Sequence, residues 1–246
     1  MPVRDSTGGG APAGATPDRP AARQTASIRL LKPAPALARL TAALVARGHS
    51  IDRGASTGGA STWVVGPAED PESAEEIAGR SATGDRILVL GWIGVHPDAR
   101  AETLHKLWAL EESCRATPLP TLALRLGPLV GPASPLWGAL AATPPAGRLA
   151  RKLVHPAVES DVIETLDRAL AGAIAWQGWH ELGGPDVLDL AELSALARAA
   201  GRGRDGEWEP DRDAIMEQRL IEPELWARWA GITLTSVAAE SRGWAA

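Results

Sequence analysis

The chain has 246 residues, 45% of them hydrophobic, which suffices for one large domain or two small ones with a sizeable core. Its formal net charge is -5, so no basic excess exists for gripping phosphates and no nucleic-acid partner is expected. The single cysteine, Cys114, excludes an intramolecular disulfide and a cysteine-based zinc cage, and no run of roughly 18 apolar residues suggests a membrane span.

Residues 1–26 read as a tail. Gly8-Gly9-Gly10 and repeated prolines carry no period and offer little to bury. No apolar core of a secretory signal occurs there, so a cytoplasmic location is expected. Ile28 to Leu31 is a short strand candidate. Pro35 to Arg47 is helical, with Leu37, Leu40, Thr41, Leu44 and Val45 on one face and Gly48 as the stop. Ser50 to Arg53 is a second strand, and the Gly/Ser/Thr-rich stretch 54–61 is a loop.

Thr62 to Val65 is a third strand, closed by Gly66-Pro67, and Glu72 to Gly79 is a short acidic helix. Arg86 to Leu90 is the clearest strand, bounded by Gly84-Asp85 and Gly91. Ala101 to Arg115 is helical, and Thr121 to Leu126 is another strand. Strands alternating with helices imply βαβ units and a mostly parallel sheet flanked by helices. The second half reads differently: helices at Val158–Ala171, Leu190–Ala200 and Asp211–Leu220, with a short strand at Trp179–Leu182. The expected organisation is therefore a tail (1–26), an α/β core (27–132) and a smaller mixed α/β lobe (133–246) that completes the fold.

Four segments, in order, resemble a known family. They are the Arg47-Gly48-His49 that follows the first helix, Leu119 to Pro132 (LPTLALRLGPLVGP), Pro156 to Leu170 (PAVESDVIETLDRAL) and Glu181 to Leu193 (ELGGPDVLDLAEL). Together they resemble extended and atypical short-chain dehydrogenase/reductases, with the flavour of the NmrA-like group. That group includes cofactor-binding but catalytically silent members such as a complex I accessory subunit. The resemblance implies a Rossmann-like fold and, in its active members, an NAD(P) cofactor.

The family's glycine fingerprint does not carry over. Counted back from Gly48, its three glycines fall at Leu31, Ala34 and Leu37. Those glycines make a tight turn, let backbone approach the pyrophosphate, and pack helix on sheet. A Cβ makes left-handed geometry cost about 1–2 kcal/mol, and Pro33 and Pro35 remove N–H donors from the same turn. No cofactor is expected to bind in the usual way.

The family's Tyr-x-x-x-Lys is missing too, and the chain holds 10 Trp but no Tyr at all. Aligned on Glu111, the tyrosine and lysine positions are Thr103 and Leu107; shifted by one they are Glu102 and Lys106. Where the family places serine, this chain has Gly91-Trp92-Ile93-Gly94.

Other polar groups have ordinary readings beside functional ones. His96 lies just past the best strand, where open α/β sheets bind ligands, or is a loop histidine bonded to its neighbours. Arg125, inside a strand, needs a structural ion pair or binds an anion. Trp92, Trp137 and His155 complete the set of pocket candidates. No histidine pair stands at metal spacing, so no metal site is expected. Trp226 and Trp229, three apart on a helix opened by Pro223, share a face. They either cover the sheet or close the small lobe, or they anchor a partner protein.

The leading expectation is a catalytically silent scaffold or accessory subunit acting on another protein. The alternatives are an NAD(P)-dependent oxidoreductase or epimerase with a rebuilt site, and a small-molecule sensor.

Overall fold

The computed structural model describes residues 25–31, 35–52, 60–132, 134–201 and 211–245. Most of the expected tail, most of the loop at 54–61, and Pro33 and Ala34 lie outside them.

The first half alternates as expected: β1 (Ser27–Leu30), α1 (Pro35–Ala46), β2 (Ser50–Asp52), β3 (Ser61–Val65), α2 (Ser73–Arg80), β4 (Arg86–Trp92), α3 (Glu102–Ala116) and β5 (Thr121–Leu126). The second half holds β6 (Leu129–Val130), α4 (Pro135–Ala142), α5 (Gly147–Ala150), β7 (Leu153–Val154), β8 (Ala157–Val158), α6 (Glu159–Leu170), β9 (Gly178–Leu182) and β10 (Leu188–Asp189). It closes with α7 (Leu190–Ala199), α8 (Arg212–Glu217), α9 (Pro223–Ala230) and α10 (Val237–Glu240).

Six strands form one parallel sheet in the order β2-β1-β3-β4-β5-β9. The pleat sorts side chains by parity onto two apolar faces, as a doubly covered parallel sheet requires. From β5, Leu122, Leu124 and Leu126 enter a core with Val162, Leu166 and Leu170 of α6 and with Leu40 and Leu44 of α1. Ala123 faces the other way, with Ile87 and Val89 of β4, into a core closed by Ile77 of α2 and by Leu104, Leu107 and Leu110 of α3. Each fully buried Leu or Ile contributes about 1.5–3 kcal/mol.

Residues 133–246 divide between two places. Helix α6, β9 and α9 belong to the layers of the main sheet. Helices α4 and α7, with β7 and α10, build a third cluster around Trp137, Leu190, Leu193 and Val237. Two minor sheets, β7 with β10 and β6 with β8, stitch that cluster to the main body.

Close approach fixes one glycine in this junction. A Cβ on Gly127 would lie 2.1 Å from the His155 carbonyl oxygen, so the turn after β5 can carry no side chain. Among the described residues, no helix is long and apolar enough to cross a membrane.

Candidate functional site

Strand order reverses between β1 and β3, which places a topological switch point at their carboxyl ends. In open α/β sheets ligands bind in that crevice. Leu31 stands there, partly buried against the α2/α3 core. No described non-glycine residue has a positive φ, so Leu31 does not build the left-handed turn of a dinucleotide loop. Across the switch point, the loop after β3 buries Glu69, whose carboxylate accepts the Gly66 N–H at 2.8 Å. That amide is therefore taken by an internal acceptor. Residues 32–34, where the rest of a dinucleotide loop would lie, are outside the described residues.

Helix α3 holds the second half of the question. Arg125 of β5 donates Nε to Glu111 Oε1 at 3.0 Å and Nη2 to Oε2 at 2.7 Å, and Glu111 is 0% exposed. Arg125 is thus a structural ion-pair residue, and the pair locks α3 against the sheet. With that register, Leu107 is buried among apolar side chains and Thr103 is partly buried. Lys106 is solvent-exposed and pairs with Glu102 at 2.7 Å. Neither register gives a hydroxyl–lysine pair able to pass a proton. Opposite, Gly91 occupies the strand end; a Cβ there would sit 3.5 Å from Glu111 Oε1.

Two of the pocket candidates come together. His96 and Arg125 both line a groove of about 720 Å³ beside α3, along with Trp108, Arg115, Trp179 and Arg219. Gly94, at φ 103°, turns the chain so that the following loop rims this groove. His96 Nδ1 accepts the Asp98 N–H at 3.2 Å, a bond within its own loop.

The other candidates lie elsewhere. Trp92 is half-buried against the α2/α3 core. Trp137 is a correction to the pocket reading: it is 0% exposed and packs edge-on against Trp244, with ring centroids 4.9 Å apart. His155 is also interior, its Nδ1 3.0 Å from the Gly184 carbonyl oxygen. Trp226 is a correction to the partner-anchor reading. It is 1% exposed, packs on α6, and donates its indole N–H to Thr165 Oγ1 at 2.9 Å. Trp229 is half-buried and stacked on His180, centroids 3.7 Å apart.

Sequence reading missed Glu111 as a buried group, and a signal existed. Positions 104, 107, 111 and 114 form one helical stripe, and a carboxylate on an apolar stripe needs a buried cation. It also missed Lys152 and Gln218, which line a second groove of about 490 Å³ with Arg148, Arg151, Met216 and Leu220. Lys152 Nζ donates to the Gln218 carbonyl, and burial lowers its pKa. Gln218 is 3% exposed, and its Nε2 has no partner among the described residues. Those residues hold no cluster of metal-ligating side chains.

No protein-family model matches the chain, and no curated protein matches it in sequence. Solved structures do match its fold. MoeE5 in complex with UDP-glucose and NAD aligns at TM-score 0.61 and 14% identity, over 89% of this chain and 98% of that one. The Bordetella bronchiseptica enzyme WbmG in complex with NAD and UDP aligns at TM-score 0.58 and 11% identity, over 89% and 94%. A UDP-glucose 4-epimerase from Thermotoga maritima, with UDP-glucose, aligns at TM-score 0.58 and 10% identity, over 90% and 97%. The chain therefore has the Rossmann-type α/β fold of these proteins.

Proposed function

We propose that this protein is a degenerate short-chain dehydrogenase/reductase, NmrA-like in character, that transfers no hydride and works in the cytoplasm as a scaffold or accessory subunit of another protein. The observation that carries this reading is the face of α3. The Glu111–Arg125 pair sets its register, and the positions that would hold the proton-transferring pair are Thr103 and Leu107. Leu31 and Glu69 support the same reading, since one denies the turn and the other occupies the Gly66 N–H. Calorimetric titration with NAD+, NADH and NADPH tests it. No saturable binding tighter than about 10 μM, roughly -7 kcal/mol, is expected; such binding with any of the three overturns the reading.

A second reading is favoured by Gln218. Its unpartnered Nε2 gives the second groove one buried hydrogen-bond donor with nothing to accept from it, beside the cationic Lys152 and Arg151. Two of the proteins that share this fold are known with UDP-glucose. A sensor that holds such an anion without turning it over fits this donor and these cations. Titration with UDP-glucose separates the two: binding that Lys152→Met weakens supports the sensor, and no binding supports the scaffold alone.

A further inference from the structure

The crossover between β5 and β9 runs through α6, which packs on the α1 face of the sheet. Among the described residues, no crossover helix follows α3 over the last two strands on the opposite face. The groove of about 720 Å³ lies in that gap, between α3 and the segment after α8. Its floor follows from register. Ala123 pairs with Trp179 and Arg125 with Glu181, and paired residues point to the same side of a parallel sheet.

The carboxylates around the groove are engaged except Asp98, which stands exposed on the rim with its Oδ2 3.6 Å from His96 Nδ1. Glu111 accepts from Arg125 and Arg115, Glu112 from Arg115, and Glu181 from Arg219. Glu217 accepts the backbone N–H groups of Arg100 and Ala101 at 2.9 and 2.8 Å. The arginines have donors to spare. Arg125 uses Nε and Nη2 on Glu111, and Arg219 uses Nε and Nη2 on Glu181. Among the described residues, Nη1 of each makes no hydrogen bond and the Arg100 guanidinium makes no ion pair. Beside these donors lies Trp179, 45% exposed, with the Arg125 guanidinium 4.5 Å from its ring centroid.

We propose that this groove binds a small anion carrying a planar ring, the ring against Trp179 and the anionic oxygens on the free Nη1 groups of Arg125 and Arg219. An exposed indole beside surplus guanidinium donors matches a ring joined to a phosphate or a carboxylate. The site lies away from the β1/β3 crevice, so it stands independently of the proposed loss of cofactor binding.

The test is titration of the full chain with AMP, with indole-3-acetate, and with adenosine and inorganic phosphate as half-ligands, followed by calorimetry. Saturable binding of AMP or indole-3-acetate with Kd below about 1 mM is expected, and the stronger of the two tells phosphate from carboxylate. Trp179→Ala should weaken it about tenfold, the worth of one lost stack. Arg219→Gln should weaken the anions several-fold and leave adenosine unchanged. Circular dichroism checks that both variants fold, as expected for half-exposed side chains. Binding by neither probe overturns the proposal, as does binding that Trp179→Ala leaves intact, since the ligand then sits elsewhere.

Discussion

Glu111 on α3 and Arg125 on β5 face each other as a buried fork, two parallel hydrogen bonds of 3.0 and 2.7 Å between residues 0% and 6% exposed. This geometry gives a carboxylate–guanidinium pair its orientation as well as its charge match. The pair ties the helix to the sheet beside the end of β4, where a Cβ on Gly91 would sit 3.5 Å from Glu111 Oε1.

Removing Glu111 strands the buried Arg125 guanidinium, so Glu111→Ala should lose about 3–5 kcal/mol of stability. Arg125→Ala should lose less, because Arg115 Nη2 still donates to Glu111 Oε2 at 2.9 Å. The double variant Glu111→Leu/Arg125→Met should recover most of the larger loss, because an apolar pair of similar volume carries no desolvation cost. Urea denaturation of the three variants checks these statements, and additive losses in the double variant would contradict them.

Trp226 separates burial from hydrogen bonding. Trp226→Ala empties the space between α9 and α6 and should cost about 3–5 kcal/mol. Trp226→Phe keeps most of the apolar volume and loses the bond to Thr165, so about 1 kcal/mol more than a pure packing change is expected. Thermal melts of both variants decide it; a wild-type melt for Trp226→Ala would return this side chain to the surface.

His180 predicts an acid-sensitive stability. Burial against Trp229 lowers its pKa from the ordinary 6.5, with a weaker opposing contribution from a backbone bond at Gln177. The unfolded chain therefore takes up the proton first as pH falls. The favourable contribution of the neutral ring is complete above about pH 6.5 and is lost as pH falls through the lower, folded value. Chemical denaturation at pH 7.5 and 5.5 should show a smaller fall for His180→Phe than for the wild type. Equal falls would mean that this histidine does not titrate with folding.

Cys114 should be silent toward thiol reagents. It is 0% exposed, and its pKa is pushed up to about 12, first by burial and then by the neighbouring Glu111 carboxylate. Only the thiolate reacts, so labelling at pH 8 should proceed at the rate of opening of the fold and become fast in urea. Rapid labelling of the native chain would contradict the burial.

The strands and helices of the first half are legible in the chain because their signals are local. Arg86 to Leu90 carries its apolar run between turn residues, and Ala101 to Arg115 carries its 3.6-residue rhythm, whatever surrounds them. The lack of tyrosine, and with it of the family's proton donor, is settled by composition alone. Strands β6, β7, β8 and β10 escape such reading because two residues hold no period. The tertiary structure alone decides which tryptophan is core. Trp226 meets a helix 61 residues away at Thr165, while Trp179, on a sheet edge, meets no covering helix on its own side among the described residues. It also decides that Glu111 meets Arg125 rather than solvent. Burial is set by what other parts of the chain bring over a side chain, and no local pattern contains that information.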